Sequence, residues 1–175
     1  VTGPDEWHEP VNNNLYTNYL ARWNLKYVLS LLEVMKKEET SSYNELVEKT
    51  GLTEMETAKW KEVQEKIYLP RKEGTKLLEQ FEGYFELDNV TIEKYDENDW
   101  PIRPEALKTK KAKETQINKQ ADVVMLLHLM GNEFDDETIK ENYAYYEKRT
   151  LHGSSLSPSI YSVMGLKVGD DSKAY

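Results

Sequence analysis

At 175 residues the chain has the length of one globular domain, and its modest 38% apolar content leans on twelve Tyr, four Trp and three Phe, large side chains that mostly carry a polar handle. A formal charge of -9, with acidic and basic residues interspersed, offers no Lys/Arg stripe to a phosphate backbone and repels anionic membranes, which argues against nucleic acid or membrane as partners. The longest apolar run, Ala121 to Met130, is broken by Asp122 and His128 and is too short to span a bilayer, while the lack of cysteine excludes disulfides and thiolate metal sites.

From Val1 to Asn14 the Gly3-Pro4 pair and the Asn12-Asn13-Asn14 run predict a loop. Thr17 is a suitable N-cap for a helix whose apolar positions Leu20, Ala21, Tyr27, Val28, Leu31, Leu32 and Met35 keep helical spacing. That helix runs to Lys36 and Lys37, whose charge suits the negative end of the helix dipole. Capping boxes at Ser42/Glu45 and Thr53/Glu56 predict two shorter helices, with Gly51 as the stop between them. Lys76 to Ile92 mixes aromatic and apolar residues with Gly83, Asp88 and Asn89, a pattern of short strands or irregular chain.

Asp96 to Pro104 reads as turns, and Lys108 to Lys113 as a solvated basic face. A buried helix is expected over Ile117 to Met130 and an amphipathic one over Asp136 to Glu147. A last helix is expected from Ser157, with Pro158 in the first turn, where its missing N–H costs nothing. No repeat at a solenoid period is present. The start at Val1 without Met, and the end at Tyr175 in what reads as a starting helix, suggest an excised fragment. With no basic segment followed by an apolar stretch at the start, the expected location is the cytoplasm.

Chemistry concentrates in three places. Gly3-Pro4-Asp5-Glu6-Trp7-His8-Glu9 puts three carboxylates, an imidazole and an indole in one loop. A glycosidic oxygen leaves well only when protonated, and a neighbouring carboxylate or an adjacent indole favours the protonated form of a Glu, so Glu6 or Glu9 suits an acid. Such residues are more often plain solvated loop charges, and their spacing matches neither a zinc helix nor a calcium loop. Lys119-Gln120-Ala121-Asp122 offers donors and acceptors suited to sugar hydroxyls, or is simply a polar helix start. In His152-Gly153-Ser154-Ser155-Leu156-Ser157 two serines and a glycine precede a helix N-terminus, where amides and dipole favour an anion. Ser157 acting as an ordinary helix cap is the competing account.

Taken in order, Thr2 to Glu9 with Asn13, Asn14, Tyr16, Thr17 and Asn18, then Lys119 to Asp122, then His152 to Ser157, resemble the signature of glycoside hydrolase family 65. The family holds the maltose, trehalose and kojibiose phosphorylases, and the resemblance extends over essentially the whole chain. It implies an all-α fold, the second, C-terminal half of an (α/α)6 barrel, with a short irregular or β segment around 76–92 and residues 1–175 as a fragment of one catalytic domain. On the same resemblance Glu6 is the general acid, Lys119 and Gln120 hold the transferred glucosyl unit, and Ser154 and Ser155 bind phosphate. Gly153 falls where members with different acceptors vary.

The implied reaction is inverting phosphorolysis of an α-glucosidic disaccharide of the maltose, trehalose, kojibiose or nigerose type to β-D-glucose 1-phosphate. Phosphate would stand where an inverting hydrolase keeps its activated water. Inorganic phosphate is then a co-substrate, no metal or organic cofactor is expected, and the full-length protein is expected to be a homodimer. The family's Trp-Asp and Gly-Ile-His motifs are absent from this chain, so the fragment alone is expected to be inactive. A related trehalase-like hydrolase would act without phosphate. A non-catalytic helical interaction module would leave Glu6, Lys119 and Ser154 scattered.

Overall fold

The first helix, α1 (Leu15–Glu38), starts ahead of its expected cap in the computed structural model, which describes residues 1–173. Asn14 rather than Thr17 closes its first turn: the Asn14 Oδ1 accepts from the Thr17 amide at 3.0 Å, while the Thr17 hydroxyl donates to the Thr2 carbonyl. The next helix, α2 (Thr40–Thr50), also departs from expectation, because the box at Ser42/Glu45 does not form. Glu39 donates to the Met35 carbonyl and accepts from the Tyr43 amide. Helical bonding therefore runs almost without a break from α1 into α2 and leaves Ser42 no open helix end to cap.

The box at Thr53/Glu56 does form and opens α3 (Glu54–Lys66). Gly51 ends α2 at φ 69°, the left-handed conformation a C-terminal stop requires, with its amide on the Val47 carbonyl.

The chain divides into two compact units, Asn18–Leu69 and Val1–Thr17 together with the chain from Pro70 onward. Within Asn18–Leu69 no residue is buried: Trp23 stacks on Tyr27, and Leu31, Val34, Met55 and Val63 are exposed. The other unit holds the core. Its helices α4 (Val123–Leu129), α5 (Asp136–Glu147) and α6 (Leu156–Val168) pack on one another, burying Val124, Leu126, Leu127, Ile139, Tyr146 and Met164. Each such side chain contributes about 1.5–3 kcal/mol of transfer free energy. Tyr84 is fully buried against Phe81, Phe85 and Tyr146, and its hydroxyl donates to the Gln116 carbonyl at 2.6 Å.

The segment 76–92 is irregular, with a 3-10 turn at Tyr84–Glu86 following Gly83 at φ 90°. Among the described residues strand pairing is limited to isolated bridges, such as Asn118 with Thr150. The helix α5 spans the expected residues. α6 begins one residue before Ser157 and keeps Pro158 in its first turn. The helix start anticipated at the chain's end, Tyr175, lies outside the described residues. No helix of the described residues is long and apolar enough to cross a membrane.

The largest departure is α4, expected from Ile117 but beginning at Val123. Five consecutive amides before it are committed sideways. Ile117 donates to the Thr115 hydroxyl, Asn118 to the Arg149 carbonyl, Lys119 and Gln120 to Asp5, and Ala121 to the Ser157 hydroxyl. A backbone whose donors are taken by distant acceptors cannot close a helical ladder.

Candidate functional site

The loop before α1 is anchored from within by a buried polar cluster. Asp5 is 1% exposed. One of its oxygens accepts from the Lys119 amide at 2.7 Å and the Gln120 amide at 3.4 Å, and the other faces His8 Nδ1 at 2.5 Å. His8 Nε2 lies 2.9 Å from the Thr115 carbonyl, which can only accept, so that nitrogen carries a proton. Beneath them Asp122 accepts from the Asp5 amide and from Asn14 Nδ2. Gly3 is required here. A Cβ on it would stand 2.2 Å from Asn14 Nδ2 and 2.6 Å from an Asp122 oxygen.

On the outer side of the same loop the Glu6 carboxylate forms an ion pair with the Lys119 ammonium, the two side chains being 55% and 28% exposed. Gln120 donates its side-chain amide to the Pro4 carbonyl. Lys119 is fixed from the other side as well. Asn118 donates to the Arg149 carbonyl and accepts from the Leu151 amide along the bridge between 118 and 150, and the Gly153 amide donates to the Lys119 carbonyl at 2.7 Å. A Cβ at Gly153 would meet Lys119 Cγ at 3.1 Å, so the small residue allows the lysine stem to lie against this turn.

Ser157 is not the helix cap. Its hydroxyl oxygen accepts from the Ala121 amide at 3.1 Å and lies 3.0 Å from His152 Nδ1. Burial first, and then Lys173, depress the His152 imidazole to about 4, so the ring beside the Ser157 hydroxyl is neutral. Ser155 occupies the cap position of α6 without a side-chain cap bond, and the Leu156 amide reaches the Ser154 hydroxyl only at 3.5 Å. No hydrogen bond joins either serine side chain to Glu6 or Lys119 among the described residues. They adjoin that pair through Gly153.

Trp7 does not stand free to stack on a sugar, because it packs against the cluster of Ile92, Leu107, Ile117 and Leu151 with Arg103 over its ring. Both His8 nitrogens face protein oxygens, those of Asp5 and the Thr115 carbonyl. Asn14, Asp122 and Ser157 stand within the three motifs, but their roles as buried anchors were not foreseen. Their only signal is a short polar side chain flanking an apolar run.

Asp122 carries a pH signature. Burial first, and then the Asp5 carboxylate, raise its carboxyl to about 7. The folded form holds this proton where the unfolded chain has released it, so its contribution to stability falls as pH rises from about 4 to about 7. Replacing Asp122 with Asn is expected to flatten that decline in thermal denaturation measured across the window. An unchanged slope would contradict the assignment.

Residues 1–175 match the model of the glycosyl hydrolase family 65 central catalytic domain. The chain belongs to glycosyl hydrolase family 65. This family 65 segment is 55% identical over 175 residues to a kojibiose phosphorylase of Thermoanaerobacter brockii, and covers 23% of that protein. It is 35% identical over 175 residues to an α,α-trehalose phosphorylase of the same organism, covering 22%. A solved structure described as a candidate kojibiose phosphorylase from human microbiome is 34% identical, with a TM-score of 0.80 over 99% of this chain and 24% of that one. The segment thus spans less than a quarter of these relatives, and its all-α fold is a portion of the family's (α/α)6 barrel.

Proposed function

We propose that the protein to which this segment belongs cleaves an α-glucosidic disaccharide by inverting phosphorolysis, with kojibiose favoured by the 55% identity to a kojibiose phosphorylase. The observation that carries the reading is the contact between Glu6 and Lys119, 113 residues apart, with Gly153 of the third motif packed on the same lysine. A non-catalytic module gives these residues no reason to meet.

Glu6 protonates the glycosidic oxygen as its bond to the anomeric carbon breaks. A phosphate oxygen attacks that carbon from the opposite face, so an α-glucoside yields β-D-glucose 1-phosphate and a free sugar. Lys119 and Gln120 hold the glucosyl unit, and Ser154 and Ser155 hold the phosphate. Hydrolysis would need a second carboxylate to activate water. The two carboxylates of the buried cluster under this loop, Asp5 and Asp122, are hydrogen-bonded inward and are not free to activate a water.

The test is the complete enzyme assayed on kojibiose, nigerose, trehalose and maltose with and without inorganic phosphate. β-D-Glucose 1-phosphate should form, fastest from kojibiose, and cleavage should stop without phosphate. Sugar release at equal rates in its absence would replace phosphorolysis by hydrolysis.

A further inference from the structure

We propose that Asp5 is the positioning residue that sets the acid and the sugar-holding pair at a fixed distance from each other, with His8 as its partner; this rests on the reading of Glu6, Lys119 and Gln120 given above. Asp5 and Glu6 are adjacent in the chain, yet one side chain is wholly buried and the other open. The inward carboxylate takes two consecutive amides, those of Lys119 and Gln120, on a single oxygen. These donors have no helical partner, because α4 has not yet begun. His8 spans from the other Asp5 oxygen to the Thr115 carbonyl. The loop 5–8 therefore grips the segment 115–120 at both ends, and any shift of Asp5 moves Glu6 relative to Lys119. Misplacement of reacting groups by about 1 Å costs on the order of 100-fold in rate.

The proton pattern of this grip separates Asp5 as a holder from Asp5 as an acid. Asparagine offers one acceptor and one donor face. Its oxygen can take the Lys119 and Gln120 amides while its amide group donates to an unprotonated His8 Nδ1, with Nε2–H still on Thr115. Once His8 gains a second proton, two donors face each other whichever way the amide turns. The other ionisable groups around His8 stay in place in such a variant. They are Asp122 beneath Asp5, the Tyr84 ring with Phe81 beside it, and Glu9, Glu82 and Lys113 around an open cleft of about 350 Å³. Asp5→Asn and Asp5→Ala both remove the charge that helps raise Asp122, so a pH dependence found with Asn alone is traceable to the contact with His8.

The experiment compares Asp5→Asn and Asp5→Ala in the complete enzyme, measuring kcat and both KM values across pH, with thermal melting at each pH. Asp5→Ala should lower kcat/KM for disaccharide by about 100-fold and leave the KM for phosphate nearly unchanged. Asp5→Asn should recover to within about tenfold of the parent at alkaline pH, and lose that recovery reversibly in acid, where a second proton on His8 leaves donor facing donor. Asn as poor as Ala at every pH, with melting intact, would overturn the proposal in favour of an ionisation of Asp5 itself. Parental behaviour of both variants would also overturn it, as would equal losses for both substrates accompanied by lowered melting. Should Glu6→Gln retain full activity, the acid assignment fails instead, whatever the Asp5 variants do.

Discussion

Replacing Glu6 with Gln should lower turnover of an unactivated disaccharide by at least about 100-fold, the usual scale of a general acid, while leaving disaccharide binding in place. The amide is nearly isosteric, and its oxygen can still accept from the Lys119 ammonium that pairs with the carboxylate. What it lacks is a proton for the leaving oxygen. Calorimetric titration of the variant with disaccharide and steady-state turnover separate the two effects. An α-glucosyl fluoride, whose leaving group needs no protonation, should be spared much of the loss. Near-normal turnover on the disaccharide would move the acid to Glu9, because Asp5 is buried with both oxygens engaged.

Two helices set by local chemistry were readable in advance. The helix at Asp136–Glu147 combines an apolar face with an aspartate, Asp135, that caps the Thr138 amide, and the Thr53/Glu56 box supplies both partners within one turn. The largest misreading, the start of α4, is governed by distant atoms. Ile117 fits a helical apolar pattern because it is fully buried, yet it is buried in a cluster with Ile92, Leu107 and Leu151. The five amides from Ile117 to Ala121 are held by side chains and carbonyls up to 114 and 115 residues away. The site divides the same way. Residue types alone left Glu6 and Glu9 open, and the resemblance to family 65 assigned Glu6, Lys119, Gln120 and the two serines, but that Asp5 ties the first two motifs together depends on a carboxylate turned inward, which no spacing in the chain announces.

The second large effect is expected on phosphate. Ser154→Ala combined with Ser155→Ala should raise the KM for phosphate far more than that for disaccharide, each lost bond to the anion costing roughly 1–3 kcal/mol, or about 5- to 150-fold. The geometry favours these two hydroxyls. Ser155 stands at the start of α6 without a cap bond, and Ser154 receives only a long contact from Leu156. Both therefore lie at the positive end of a helix dipole with little to lose by turning to an anion. Ser157 provides the control, since its hydroxyl is buried and already links the Ala121 amide to His152. Ser157→Ala strands a buried amide, so it should lower thermal stability by about 1–3 kcal/mol without a selective change in phosphate KM. A phosphate-selective effect of Ser157→Ala, with none from the Ser154/Ser155 pair, would move the anion one turn deeper, to the point where α6 meets the segment before α4.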